Sequence, residues 1–309
     1  MCGIAGIVGH KPDPDVLERM AAAIEHRGPD SYGTLLDEQA GFAFRRLSII
    51  DVSGGDQPIF NEDESAAIIL NGEIYNYRDL RAGLIERGHR FRTRSDVETV
   101  LHLWEEKGPS CLIDLRGMFA LAIWNRRDQS LFLARDRVGK KPLYYSRLPG
   151  GGIIFASEIK SILQHPEVHR EPDLNSIDRF LTLQYVPSPD TAFRGIERIP
   201  PAHWLSWRHE HIEIGRYWNL EYESKFREPE PELREELVRL LREAVKIRLE
   251  SEVPLGAFLS GGIDSSAVVA FAAESSAVPL NTFSIGFESQ QHDESKFARL
   301  VASRFGTNH

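Results

Sequence analysis

The chain opens Met1-Cys2-Gly3. Initiator methionine is usually removed before a small residue, and Cys2 would then carry both a thiol and a free α-amine. An α-amine titrates near ~7.7–8 and a thiol near ~8.5. The amine can therefore be neutral near neutral pH and take the thiol proton, directly or through one water. A nucleophile activated by its own amino terminus is an established scheme, and Gly3 leaves room for a substrate to approach the backbone. Other residues offer matching chemistry. Arg46, beside Arg45 at an apolar run, can hold an α-carboxylate through its donor fork. Asn71 and Gly72 offer a side-chain amide and a backbone N–H, the donor pair a tetrahedral oxyanion needs. Glu73 and Asp96 can accept from an α-ammonium. The set suits one task, holding a free amino acid while its side-chain amide is attacked. Each residue also has a plainer reading: Cys2 as a frayed end, Arg46 as a surface ion pair, Asp96 as a helix cap, Asn71-Gly72 as a turn.

Met1-Cys-Gly-Ile-Ala-Gly-Ile7, His26-Arg-Gly-Pro-Asp30, Arg46-Leu-Ser-Ile49, Asn71-Gly-Glu-Ile-Tyr-Asn76 and Ser95-Asp96 occur in the order and spacing of a known family. The sequence resembles the class II glutamine amidotransferases, whose glutaminase domain is an N-terminal-nucleophile hydrolase. Gly117-Met-Phe-Ala120, Arg135-Asp-Arg-Val-Gly-Lys-Lys-Pro-Leu-Tyr-Tyr145 and Ala156-Ser-Glu-Ile-Lys160 resemble its glutamine-hydrolysing asparagine synthetase subgroup. The resemblance implies an αββα sandwich of two antiparallel sheets with Cys2 on the first strand. It also implies Cys2, Asn71 and Gly72 in catalysis, and Arg46, Glu73 and Asp96 on glutamine. Arg45 departs from the family, where His is frequent, and no role is assigned to it.

A second constellation is Leu259-Ser-Gly-Gly-Ile-Asp-Ser-Ser266, between a predicted strand and a predicted helix. Ser260, Gly261 and Gly262 let backbone N–H groups close around a phosphate, and the helix aims its positive end at the same anion. Ser265 and Ser266 add hydroxyls, and Asp264 can cap the helix. No lysine follows the glycines, so this is not the Walker P-loop. The plainer reading is a tight strand–helix turn. The full string resembles the pyrophosphate loop of the ATP pyrophosphatases, which cleave ATP between the α- and β-phosphates to adenylate a carboxylate. That resemblance implies ATP and Mg²⁺, with Leu259 and Ile285 in the adenine pocket and Asp264 near Mg²⁺–pyrophosphate. The implied substrates are glutamine, ATP and aspartate, or another carboxylate (a peptide, antibiotic or polysaccharide precursor), and a homodimer is a further expectation.

These residues need elements to place them. Gly3–Gly9, Gly41–Asp51, Ser65–Leu70, Met118–Trp124, Ser130–Ala134, Leu143–Ser146 and Ile153–Ala156 read as strands. Asp15–His26, Asn76–Arg87 and Asp96–Lys107 read as helices. Short connections favour antiparallel sheets with helices packed on them, an α+β arrangement. A charged, proline-bearing stretch, Ser224–Glu232, marks a linker. Beyond it, helix Leu233–Leu249, strand Leu255–Leu259, helix Ala267–Glu274, strand Thr282–Phe287 and helix Asp293–Phe305 with Gly306 as its cap read as the start of a parallel doubly wound α/β sheet. The expected domains are 1–210, a linker 211–231, and 232–309. Since such a sheet needs further β–α units to cover it, the chain is expected to be a truncated form able at most to hydrolyse glutamine.

Composition narrows the classes. A net charge of −9 over 309 residues argues against non-specific nucleic-acid binding and anionic membrane surfaces. No apolar run approaches the ~18 residues of a membrane span, no basic leader is present, and the expected compartment is the cytosol. Two cysteines exclude a disulfide framework, and Cys111 reads as a small buried hydrophobe. Eleven histidines show no His-x3-His pair on a predicted helix, so no metal site is expected from them.

Overall fold

The computed structural model describes residues 1–52, 54–289, 291 and 293–309. The chain forms two compact units, Met1–Leu220 and Glu221–His309.

The first unit begins with β1 (Gly3–Val8), α1 (Pro14–Ala22), β2 (Ser31–Leu36), β3 (Ala40–Arg46), β4 (Ile59–Phe60) and β5 (Ala66–Ile74). It continues with α2 (Tyr77–Glu86), α3 (Asp96–Lys107), β6 (Gly117–Asn125), β7 (Ser130–Arg135), β8 (Tyr144–Arg147) and β9 (Ile153–Ala156). It ends with α4 (Ile159–Ile162), α5 (Leu174–Leu183), β10 (Ile196–Arg198), β11 (His203–Arg208) and β12 (His211–Arg216). Among the described residues these strands make two six-stranded sheets, ordered β10-β8-β9-β1-β3-β2 and β12-β11-β7-β6-β5-β4. Every pairing within them is antiparallel.

Strand alternation sorts the side chains into layers. On β1, Ile4 and Val8 face the other sheet, packing beside Phe42 and Phe44 of the neighbouring β3 and against Ala67, Ile69, Ala120 and Trp124 of the facing sheet. Ala5 and Ile7 face outward, against Val16 and Met20 of α1 and Ile162 of α4. On β5, Ile68 and Leu70 pack outward on Leu84 of α2 and Val100 and Leu101 of α3. Helices thus cover both outer faces, giving the αββα sandwich expected from the sequence. Two helix starts have clear causes. Asp13 caps α1, accepting the N–H of Asp15 at 2.9 Å, with Pro14 in the first turn. Ser95 caps α3 by accepting the N–H of Val97 at 3.2 Å.

The linker expected from residue 211 starts later. His211–Arg216 is the edge strand β12, paired with β11 along its whole length. Its two-residue turn is His209-Glu210, both at positive φ (46° and 66°), as a type I′ hairpin requires. Asn-Gly is the usual signal for that turn, so this hairpin leaves no ordinary trace in the sequence.

The second unit contains α6 (Glu230–Lys246), β13 (Gly256–Phe258), α7 (Ile263–Ser275), β14 (Asn281–Phe283) and α8 (Ser295–Phe305). β13 and β14 pair in parallel across α7, so the expected β–α–β order holds. The second strand is shorter than the predicted Thr282–Phe287; Ile285 and Phe287 are exposed beyond it. Gly306, in the left-handed region, closes α8. The small core comprises Leu259, Val269, Ala272, Leu280, Ala298 and Ala302. Among the described residues no helix is long and apolar enough to cross a membrane.

Between the sheets, Gly6 lies beneath an edge-to-face pair, Phe42 and Phe155, with centroids 5.5 Å apart. A Cβ there would sit 2.5 Å from Phe155 Cζ and 2.8 Å from Phe42 Cδ1. Gly6→Ala is expected to destabilise the first unit by about 1–3 kcal/mol through overpacking, read from the urea-unfolding midpoint.

Candidate active site

Cys2, Arg46, Asn71, Gly72, Glu73 and Asp96, the six residues assigned to the first constellation, all line one cleft of about 140 Å³. They come from the start of β1, the end of β3, the end of β5 and the start of α3. The cleft opens where the inter-sheet layer ends, and Cys2 packs against that layer.

Cys2 Sγ lies beside the Leu47 backbone. It accepts the Leu47 N–H at 3.4 Å and donates to Leu47 O at 3.6 Å. Burial pushes the thiol pKa up, and nearby positive charge on the amino terminus, Lys141 and Arg46 opposes the rise. Burial also lowers the α-amine that Met1 carries at the cleft mouth. That amine is the one Met1 carries; an amine on Cys2 itself exists only once Met1 is removed.

The backbone of Cys2 is held separately. Arg27 Nε donates to Cys2 O at 2.9 Å, while its Nη1 donates to Glu158 at 2.9 Å. Glu158 also meets His26 and Lys160. Sequence reasoning placed His26–Asp30 among family motifs but gave Arg27 and Glu158 no role. They are far apart in the chain, and only the pairing of β1 with β3 and β9 brings them together.

Asn71 is fully buried, and neither its Oδ1 nor its Nδ2 has a hydrogen-bond partner. A buried amide left unpaired costs free energy, so the group is poised for a partner entering the cleft. Gly72 next to it tolerates no side chain: a Cβ would lie 2.0 Å from Met118 O on the paired strand. The two donors expected at the oxyanion position are therefore adjacent, on the edge of the same cleft.

Arg46 is buried, and its donors are already engaged. Nη1 donates to Val52 O (3.2 Å) and Asp56 Oδ1 (2.9 Å). Nη2 donates to Ile50 O (3.2 Å) and Asp51 O (2.6 Å). The guanidinium thus knits the loop after β3 into a wall of the cleft. Its expected hold on a carboxylate would require exchanging one of these contacts. Arg45 turns away, stacked on Tyr32 with its guanidinium carbon 4.6 Å from the ring centroid.

The acidic side of the cleft is strained electrostatically. Asp96 is buried, which raises its pKa to about 6 despite hydrogen bonds from Ile74 N–H (2.8 Å) and Ser95 O–H (3.3 Å). Burial and then Asp96 push the Glu73 carboxyl up as well. A cation between them would relieve both, as the α-ammonium reading requires. Lys141 also lines the cleft, buried, with its pKa lowered by burial and supported by Glu73 and Cys2. The sequence reading missed it, because nothing in Lys140-Lys141 tells which lysine turns inward. Asp136 fixes the local backbone: its carboxylate accepts the N–H groups of both lysines, at 2.9 and 3.0 Å.

In the second unit, Leu259, Ser260, Ser265 and Ile285 line one cavity of about 300 Å³. Gly261, Gly262, Asp264 and Ser266 lie outside its lining, in the adjoining turn and the first turn of α7. Gly261 has φ +85°, and a Cβ would fall 2.5 Å from Phe297 Cβ. Ser260 and Ser265 hydroxyls are 3.0 Å apart. No side chain caps α7, which leaves its first N–H groups available to an anion. Cys111, read as filler, is buried between α3 and β6, and burial raises its pKa to about 12.

Because Asp96 binds its proton more tightly folded than unfolded, it favours folding below its unfolded value, and that contribution is lost as pH rises through about 6. Asp96→Asn is expected to stabilise the protein at pH 7.5 by up to about 3 kcal/mol, with the difference fading toward pH 4. Urea titrations at the two pH values check this.

Comparison with known proteins agrees with the fold. Glutamine-hydrolyzing asparagine synthetase 3 of Bacillus subtilis (strain 168) is 36% identical over 100% of this chain and 53% of the relative. Glutamine-hydrolyzing asparagine synthetase 1 of the same organism is 39% identical over 99% of this chain and 49% of the relative. The chain spans about half the length of these curated relatives. Glutamine phosphoribosylpyrophosphate amidotransferase from B. subtilis, solved with ADP and GMP, matches with a TM-score of 0.52 and 18% identity. That match covers 91% of this chain and 65% of that one, and supports the fold alone. The asparagine synthase family model matches residues 236–309. The glutamine amidotransferase domain model matches residues 1–218, and the chain belongs to that family.

Proposed function

We propose that the first unit hydrolyses glutamine and that the whole protein uses the ammonia to make asparagine. The observation that carries the first half is the cleft itself. A cysteine thiol, an unpaired buried amide and an electrostatically strained carboxylate pair line one cleft. Removal of Met1 frees the amine of Cys2. That amine takes the thiol proton, and Sγ attacks the side-chain amide carbon of glutamine. Asn71 Nδ2 and the Gly72 N–H hold the oxyanion. The amine returns the proton to the departing nitrogen, ammonia leaves, and water converts the γ-glutamyl thioester to glutamate. Asp96 and Glu73 hold the substrate ammonium, with Arg46 at its carboxylate. Lys141 offsets the charge of the thiolate and the acidic pair.

The second unit supports the synthetic half. Its glycine turn and uncapped helix suit a pyrophosphate, and the cavity beside them suits a base. Together with the identity to asparagine synthetases over the full chain, this favours ATP-dependent adenylation of the aspartate β-carboxylate, with ammonia displacing AMP. Mg²⁺ arrives with nucleotide phosphates and usually needs only one or two protein carboxylates. Asp264, exposed on the first turn of α7, offers one, and the ion would supply charge neutralisation on the phosphates. A cytoplasmic setting suits a free catalytic thiol.

The chain is expected to release glutamate from glutamine, and Cys2→Ala to abolish that release. In the whole protein the same substitution should remove glutamine-dependent but not ammonia-dependent asparagine formation; loss of both would overturn the two-site reading. Asn71→Ala is expected to lower glutaminase kcat by about 10²–10³-fold with KM little changed, measured by steady-state glutamate release.

A further inference from the structure

A second group of titratable side chains converges on the C-terminal half of α3, away from the first turn that carries Asp96. Glu62 follows β4, His89 follows α2, and His102 and Glu105 lie on one face of α3. One ligand-type atom from each falls within 4.8 Å of the others. His102 Nδ1 is 2.8 Å from Glu105 Oε2 and 3.4 Å from Glu62 Oε2. His89 Nδ1 is 3.3 Å from Glu62 Oε1. Four ligands set tetrahedrally ~2.0–2.1 Å from a zinc ion are roughly 3.3 Å apart. The cluster has the ligand types of such a site, and nearly its spacing.

Two carboxylates converge on one imidazole nitrogen of the cluster. His102 Nδ1 can carry one proton, yet two carboxylates face it. Its ring is fully buried, and its Nε2 has no hydrogen-bond partner, with Glu98 3.8 Å away. Three of the four side chains, Glu62, Glu105 and His89, are also held from behind. Arg90 N–H donates to Glu62 at 3.0 Å, and Asn61 Nδ2 donates to Glu105 at 2.6 Å. Glu106, fixed by Arg87, lies 3.2 Å from His89 Nε2. Glu98, behind His102, accepts from the N–H groups of Arg92 and Thr93. Outer partners of this kind set the orientation and basicity of metal-bound imidazoles and carboxylates.

We propose that Glu62, His89, His102 and Glu105 form a structural zinc site that ties the segments after β4 and α2 to α3. Two imidazoles with two carboxylates suit zinc, whereas magnesium and calcium prefer all-oxygen sets. The two histidines come from different elements, so the spacing test applied to the sequence could not find them. The ion would also fix α3, whose first residue, Asp96, lines the Cys2 cleft.

The test uses the untagged chain with Cys2→Ala, so that the thiol takes no metal, stripped by chelator and titrated calorimetrically with zinc chloride alone. One zinc per chain is expected to bind and to raise the thermal midpoint by several degrees. Glu62→Gln with Glu105→Gln, near-isosteric and only partly buried, should weaken binding roughly tenfold or more and remove the midpoint rise, with the far-UV spectrum unchanged. His89→Gln should act alike, and His203→Gln on β11 should change neither reading. No saturable binding, or binding that Glu62→Gln with Glu105→Gln and His89→Gln both leave intact, overturns the proposal.

Discussion

A residue beside a chain end has little covalent restraint on that side, so its position depends on what grips its backbone. Here the grip is the hydrogen bond from Arg27 to the Cys2 carbonyl, with Glu158 fixing the guanidinium. Around it, Gly3 pairs with Arg45, Ile4 N–H donates to the Ser157 hydroxyl at 3.0 Å, and Leu47 meets the sulfur itself. These partners belong to β3, to the segment after β9 and to the turn before β2. The sandwich therefore holds Cys2, one residue from the start of the chain, at a fixed point. Asn71 and Gly72 on β5 depend on the same packing, since β5 lies in the facing sheet.

The cleft departs from what stability alone would choose. An unpaired amide, a buried carboxylate with a raised pKa, a neighbouring acid and a buried ammonium are each unfavourable in a folded chain. They lie within one cavity, and a zwitterionic amino acid complements them. Perturbed titration in a cleft is a familiar mark of function. The surrounding hydrophobic layers supply the stability that such a site lowers.

Much of this was legible. The clustering of Cys2, Arg46, Asn71, Gly72, Glu73 and Asp96 follows from motifs whose residue types make sense only together, and the strands β1, β5, β6 and β7 announce themselves by alternation and β-branched runs. What was not legible depends on tertiary geometry or on atypical local chemistry. Arg27 and Glu158 need the sheet to meet. Lys141 and Lys140 are locally equivalent in the sequence, and Asp136 fixes the backbone of both. The β11–β12 hairpin turns on His209-Glu210, which lacks the glycine that normally permits positive φ. The sequence reading assigns nothing to α5, although Leu174, Ile177 and Leu181 have helical spacing and Asp173 caps it. The direction of Arg46 was least accessible, because its partners are backbone carbonyls of a loop with no regular pattern.

That last feature bears on how the cleft responds to occupancy. The terminal nitrogens of Arg46 make four contacts, to Ile50, Asp51, Val52 and Asp56. An entering carboxylate competes with carbonyl oxygens for the same donors, and each hydrogen bond it gains releases one that orders the loop. Occupancy and loop order are then linked equilibria. On the proposed role of Arg46, affinity for an amino acid would be reduced by what the loop loses, and a perturbation that loosens these contacts would make the guanidinium more available.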